Sequence, residues 1–221
     1  MGEEVRELLE MLGRVERYIR YLDMRASGHT YVAFGLAVAG GAVASFFAPR
    51  LCAVAGLPPG PVIGLIWSVV MALALAVSVR SWARTEALAL AHRPPEEREQ
   101  FRRARRKAYT ISGLAWVALL SFWGLMGWWL FSTHPGPLWA LYMACIGLGN
   151  LITYLCPGEK EEEQLYVAIS LMACSPLALP AALLAGWAPF AVAVVAVVAS
   201  YLWAGLRFYG RAEAILAGAE G

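Results

Sequence analysis

The chain has 221 residues, 60% of them apolar and 15% charged, and a net charge of +2. Soluble domains average about 45–50% apolar and about 25% charged residues, so this composition argues against a water-soluble globular fold. The near-balanced charge gives no basis for nucleic-acid binding.

The first 25 residues are rich in charge and patterned as a helix. Val5, Leu8, Leu12, Val15, Ile19 and Leu22 recur at alternating spacings of three and four, the a/d seam of a heptad. Residues 1–28 are therefore expected to form an amphipathic cytoplasmic or interfacial helix, set before a six-helix domain at 29–221. Its apolar face, with Leu8, Leu12, Val15 and Ile19 as contact residues, has three destinations: the lipid headgroups, a partner protein or second copy, or the chain's own inner loops. The arginines beside it, Arg14, Arg17 and Arg20, suit an anionic membrane surface. No apolar core with a small-residue cleavage site precedes the first span, so that span is expected to serve as an uncleaved anchor.

Residues 30–48, 61–79, 108–131, 137–156, 165–185 and 188–206 contain no Asp or Glu. Each is close to the roughly 17–25 residues that carry a helix across about 30 Å of hydrocarbon. The reading is an all-α integral membrane fold of six transmembrane helices. The spans group into three hairpins, 29–80, 108–156 and 165–207, which share features. Tyr31, Tyr109 and Tyr166 each open a first span, with a small residue four positions on. Pro59-Gly60-Pro61, Pro135-Gly136-Pro137 and Ala188-Pro189 each open a second. Proline is tolerated in a first helical turn because its missing N–H would be unpaired there anyway. Fixed-order similarity of this kind suggests one hairpin unit used three times.

Between the first two hairpins lies a basic loop, 81–107, expected to be helical on both sides of Pro94-Pro95. It ends in Arg102, Arg103, Arg105, Arg106 and Lys107, a cluster suited to anionic lipid or a partner. The second inner loop is acidic from Glu159 to Glu163 and is a natural counterpart for that cluster. If the N-terminus is cytoplasmic, the inner segments hold 17 of the 18 Lys and Arg residues, leaving only Arg50 outside. The positive-inside rule thus predicts both termini in the cytoplasm, and the plasma membrane is the expected site. Tyr31, Tyr109, Tyr166, Trp82 and Trp203 are expected near the inner interface, and Trp128, Trp129, Trp139 and Trp187 near the outer one.

Reactive chemistry is sparse. No span carries an Asp, Glu, Lys, Arg or His at mid-depth, where ion-coupled carriers usually keep one. Asn150 is the strongest polar group inside a span and is read as a bridge between helices or part of a pathway. Pro176 breaks the fifth span and frees the carbonyl of Met172, which Asn150 is a candidate to bond. His29, His92 and His134 are scattered, and the four cysteines form no CxxC pair. No nucleophile elbow, metal motif or P-loop is present. Small residues spaced by four, such as Ala33, Ala37, Gly41 and Ser45, mark packing faces. These features point to a non-enzymatic membrane subunit or accessory protein without a cofactor. It would contact the bilayer and a cytoplasmic partner or anionic lipid, or self-associate through its N-terminal helix. The alternative is a small transporter or channel that uses no charge-coupling site.

Overall fold

A computed structural model describes residues 3–130, 135–156 and 160–217. The described chain is all-helical: α1 (Glu3–Ala55), α2 (Pro59–His92), α3 (Pro95–Leu130), α4 (Pro135–Leu155), α5 (Glu162–Cys174), a 3-10 turn (Ser175–Leu177), α6 (Ala178–Ala181) and α7 (Ala188–Ala217). Six helical stretches, with α5 to α6 counted as one, are long and apolar enough to cross a membrane. This fits a multi-pass membrane protein.

Local chemistry sets the ends. Gly56 sits at φ +66°, where a side chain would be strained. The N–H of Leu57 returns to the carbonyl of Cys52 at 2.9 Å, a C-terminal cap that stops α1. The helices α2, α4 and α7 begin at Pro59, Pro135 and Ala188-Pro189, where the proline pattern places second spans. His92 and Pro95 bound the turn in the basic loop as the Pro-Pro pair dictates. At Pro176 the fifth span gives way to the 3-10 turn. The Met172 carbonyl accepts a hydrogen bond from Ser175 Oγ at 2.9 Å. The break is thus repaired within its own turn.

One element departs from the expected layout. The N-terminal segment is not a separate helix lying beside the first span; it is the first half of α1, which runs unbroken for 53 residues. At about 1.5 Å per residue, α1 is about 80 Å long, far more than a bilayer needs. The excess lies at the N-terminal end. The helices α2 and α3, of 34 and 36 residues, also overrun a bilayer and meet at their tight turn on that same side.

The packing has a centre. The helix α7 touches α1, α4, α5 and α6; α2 packs on α1, and α3 packs on α4. In the most apolar stretch of α2 only 11% of residues are buried, and in that of α3 none, so these two helices are the outer members. The core joins Met24 and Val38 of α1, Met143 of α4, Leu171 of α5, and Val197 and Phe208 of α7.

The helices α1 and α7 approach closely. A Cβ on Gly205 would lie 2.5 Å from Val32 Cγ2 and 3.2 Å from the Gly28 carbonyl. Only glycine allows these backbones to meet. Gly41 of the small-residue stripe instead faces α2, with the Trp67 ring lying over it.

Candidate functional site

The most connected polar group in the bundle is Asn150, 4% exposed on α4. Its Oδ1 accepts from the Tyr31 hydroxyl of α1 at 3.1 Å. Its Nδ2 donates to the Tyr201 hydroxyl of α7 at 3.0 Å and to the Ile146 carbonyl at 2.9 Å. Three helices that are far apart in sequence meet at one amide. The rings support it: Tyr31 lies 5.2 Å from Tyr201 and 5.5 Å from Phe208, centroid to centroid. Tyr31 is therefore buried inside the bundle. Tyr109 and Tyr166, its counterparts in the other hairpins, are half-exposed. Tyr109 accepts from Arg105 Nε at 2.8 Å, and Tyr166 stacks edge-on against Trp203.

Asn150 and Pro176 do not form one site. Gly147 packs on Ala168 and Met172, and Gly136 on Ala178. This register puts Asn150 opposite the first turns of α5 and Pro176 about three turns further on. Asn150 bonds tyrosines, and the carbonyl at the break is taken by Ser175.

Towards the opposite end of α4, aromatic rings replace polar groups. Trp123, Trp139, Tyr142 and Phe190 interlock with centroids 4.9–6.2 Å apart. A second, smaller polar link joins α3 to α4. Thr153 Oγ1 lies 2.9 Å from Ser112 Oγ, and Trp116 Nε1 donates to it at 3.2 Å. A groove of about 450 Å³ between α5 and α7 is lined by Tyr166, Ser170, Ser200 and Trp203, among others. Its two serines have no basic or acidic partner in that lining, so the groove holds no acid–base set for nucleophilic chemistry.

Two charged nodes stand at the N-terminal side of the bundle. Arg211 of α7 reaches Glu161 and Glu163 at 2.8 and 2.9 Å. Glu163 is only 1% exposed, and a carboxylate so buried needs a cation. Two carboxylates of the acidic loop, Glu161 and Glu163, thus meet α7. Within the basic cluster of the first loop Arg105 is inward: it lies 3.9 Å from Asp23 of α1 and over the rings of Trp82, Phe101 and Tyr109. Arg103 pairs with Glu99 one turn back at 3.0 Å. Arg102, Arg106 and Lys107 are exposed and make no ion pair among the described residues.

Along the overhang of α1, Leu12 and Val15 are exposed and Ile19 half-buried. The side chains of Leu8, Trp128 and Trp129, and all of His134, lie outside the described residues. Sequence reasoning missed the partners of Asn150 and the Arg211 clamp. Two tyrosines inside apolar runs and an arginine beyond the last span were the available signals.

Among the described residues no three His, Cys, Asp or Glu side chains converge as a metal site. No family model, curated protein or solved structure matches this chain.

Proposed function

We propose that the protein is a non-enzymatic membrane subunit or accessory protein whose cytoplasmic face makes its contacts. The observation that carries the reading is the N-terminal overhang of α1. Met11, Leu12, Val15 and Tyr18 are each 43–55% exposed on a helix that stands beyond the rest of the chain. Large apolar groups held in water mark an interaction surface. Exposed Arg102, Arg106 and Lys107 extend that face with positive charge, at about 1 kcal/mol of attraction per residue near anionic lipid. The termini are read as cytoplasmic on the positive-inside rule, and the three hairpins as one unit used three times.

The internal polar groups support a structural bundle over a conduit. Asn150 has both ends of its amide engaged by neighbouring helices, which fits a bridge between helices. The transporter reading would need that amide to face a route.

The test is purification of the full chain with its native lipids, followed by flux measurements in proteoliposomes. The reading expects a co-purifying protein or a preference for anionic lipid, the latter lost in Arg102→Gln/Arg106→Gln/Lys107→Gln. Solute flux by the isolated protein, abolished by Asn150→Leu without loss of folding, would establish the transporter instead.

A further inference from the structure

We infer that the partner of the α1 overhang is α1 of a second copy, in a parallel two-stranded coiled coil. Its heptad stripe runs from the cytoplasm into the bilayer. This deepens the contact-surface reading above and rests on it.

The first observation is register. The a/d seam of the overhang continues without a slip through the membrane part of α1. Positions a run Val5, Leu12, Ile19, Ala26, Ala33, Gly40 and Phe47, and positions d run Leu8, Val15, Leu22, His29, Leu36 and Val43. A strict seven-residue repeat over an unbroken helix fits a left-handed supercoil with another helix. Within the span every residue from Val32 to Ala48 is apolar or small, so the overhang sets the register there.

The second observation is exposure along this one stripe. Leu12 and Val15 are exposed in the overhang; Leu36, Val43 and Phe47 are exposed in the span. Between them Ile19, Leu22 and His29 are half-buried and Ala26 is buried. The bundle covers mainly other faces of α1: Tyr21 and Met24 are buried, Gly28 and Gly35 meet α7, and Gly41 meets α2. On the seam itself it reaches Leu22, Ala26 and His29, the last stacked on Tyr209, so the free seam is the overhang and the stretch from Leu36 on.

The third observation is how composition changes with solvent. In the overhang the seam is made of Leu, Val and Ile, whose removal from water drives association. In the span two consecutive a positions are Ala33 and Gly40, which let backbones approach where the hydrophobic effect is absent. A cation on the seam appears only at Arg50, after Phe47, and ends it.

Charge and symmetry select a second copy. Two copies inserted in one membrane have the same orientation, so their α1 helices are parallel and in register. Ile or Val at a with Leu at d favours two strands, as at Val5, Ile19, Leu8 and Leu22. Across such a seam the flanking g and e positions would set Met11 against Glu16 and Tyr18 against Asp23. No like charges face each other. Arg6, Arg14, Arg17 and Arg20 fall at b, c and f, away from the seam. Confinement to one bilayer raises the effective concentration, as a linker would, and so compensates for a seam of only about three heptads in water.

Disulfide trapping of the full chain in its membrane tests this. The background replaces Cys52, Cys145, Cys156 and Cys174, and single cysteines are placed at Leu12, Val15, Arg17 and Leu36. Leu12, Val15 and Arg17 are exposed, so cysteine there leaves the fold intact. On oxidation, Leu12→Cys, Val15→Cys and Leu36→Cys should pass from the 24.0 kDa monomer to a band of twice that mass. Arg17→Cys, at an outward f position, should stay monomeric. Leu12→Asp should abolish trapping at Val15→Cys.

Equal trapping at Arg17 and Val15 overturns the inference, as does a monomer at both Leu12 and Val15. Capture of a protein of another mass at Val15 also overturns it, while leaving the contact-surface reading in place. Co-purification of a second protein species, read in the same samples, reports on that reading alone.

Discussion

Replacing Asn150 with leucine removes two interhelical hydrogen bonds and leaves two buried tyrosine hydroxyls behind. Interhelical bonds in membranes average about 0.6 kcal/mol, with a maximum of about 1.7, so the two bonds, at 3.0 and 3.1 Å, account for roughly 1–3 kcal/mol. Tyr31 then has no acceptor for its proton. A stranded buried group adds about 1–3 kcal/mol. The sum predicts a loss of about 2–6 kcal/mol for Asn150→Leu, above the loss from either Tyr31→Phe or Tyr201→Phe alone. Those variants should each cost about 1 kcal/mol, because Asn150 keeps its other partner. The sharper expectation is coupling. In the Asn150→Leu background, Tyr31→Phe should cost nothing or restore stability, because it removes the stranded hydroxyl. Reversible unfolding in detergent, followed by near-ultraviolet circular dichroism across this mutant cycle, is the assay. If the losses from Asn150→Leu and Tyr31→Phe simply add, within about 0.5 kcal/mol, the three side chains are not one energetic unit and the argument fails.

Three further outcomes follow from other parts of the fold. Gln100→Cys in a cysteine-free background should resist an impermeant thiol reagent applied to intact cells, whereas His134→Cys should react; the reverse pattern would invert the topology. Gly205→Ala drives a Cβ to 2.5 Å from Val32, so it should lower the unfolding midpoint by an amount equivalent to about 1–3 kcal/mol, while Gly64→Ala, with open space around it, should not; equal effects would contradict the close α1–α7 approach. Arg211→Met leaves the buried Glu163 without its 2.9 Å partner and should cost about 3 kcal/mol; thermal melts should show part of that loss recovered in Arg211→Met/Glu163→Leu, and no recovery would mean the pair is not the source of the loss.

What the sequence displays well is what the bilayer enforces. A charged side chain in hydrocarbon is costly, so the spans appear as acid-free runs, and Pro59, Pro135 and Pro189 mark where second helices start. It displays poorly what depends on rotation about helix axes. Tyr31, Tyr109 and Tyr166 look equivalent in sequence, yet Tyr31 points into the core while the other two are half-exposed. The stripe of Ala33, Ala37, Gly41 and Ser45 looks like a packing face of α1, yet the close approach to α7 uses Gly28 and Gly205. Asn150 stood out as a lone amide in an apolar run, but its partners did not, because tyrosine in a span is ordinarily read as an interfacial anchor. The basic cluster had a plain acidic counterpart in the next loop. Helix packing also brings Glu161 and Glu163 to Arg211, an arginine that no loop pattern singles out.

The helix α1 joins the exposed overhang to the Asn150 node, so whether the two ends communicate is a physical question. Tyr18 and Tyr31 are thirteen residues apart in the sequence, about 20 Å along the helix. Between them α1 is held by the bundle. Tyr21 and Met24 are buried, Tyr209 closes over Gly28 and stacks on His29 at 5.6 Å, and Asp23 meets Arg105. Coupling between distant sites needs an element with two discrete arrangements, and a helix fixed on several sides between those sites offers none. Asn150→Leu should therefore lower global stability while leaving disulfide trapping at Val15→Cys unchanged, at any temperature where the variant stays folded. Trapping that falls in step with loss of the Tyr31–Asn150 bond, well below the unfolding midpoint, would show that α1 shifts or rotates as one body past Tyr209 and Arg105. The overhang would then report on the interior of the bundle.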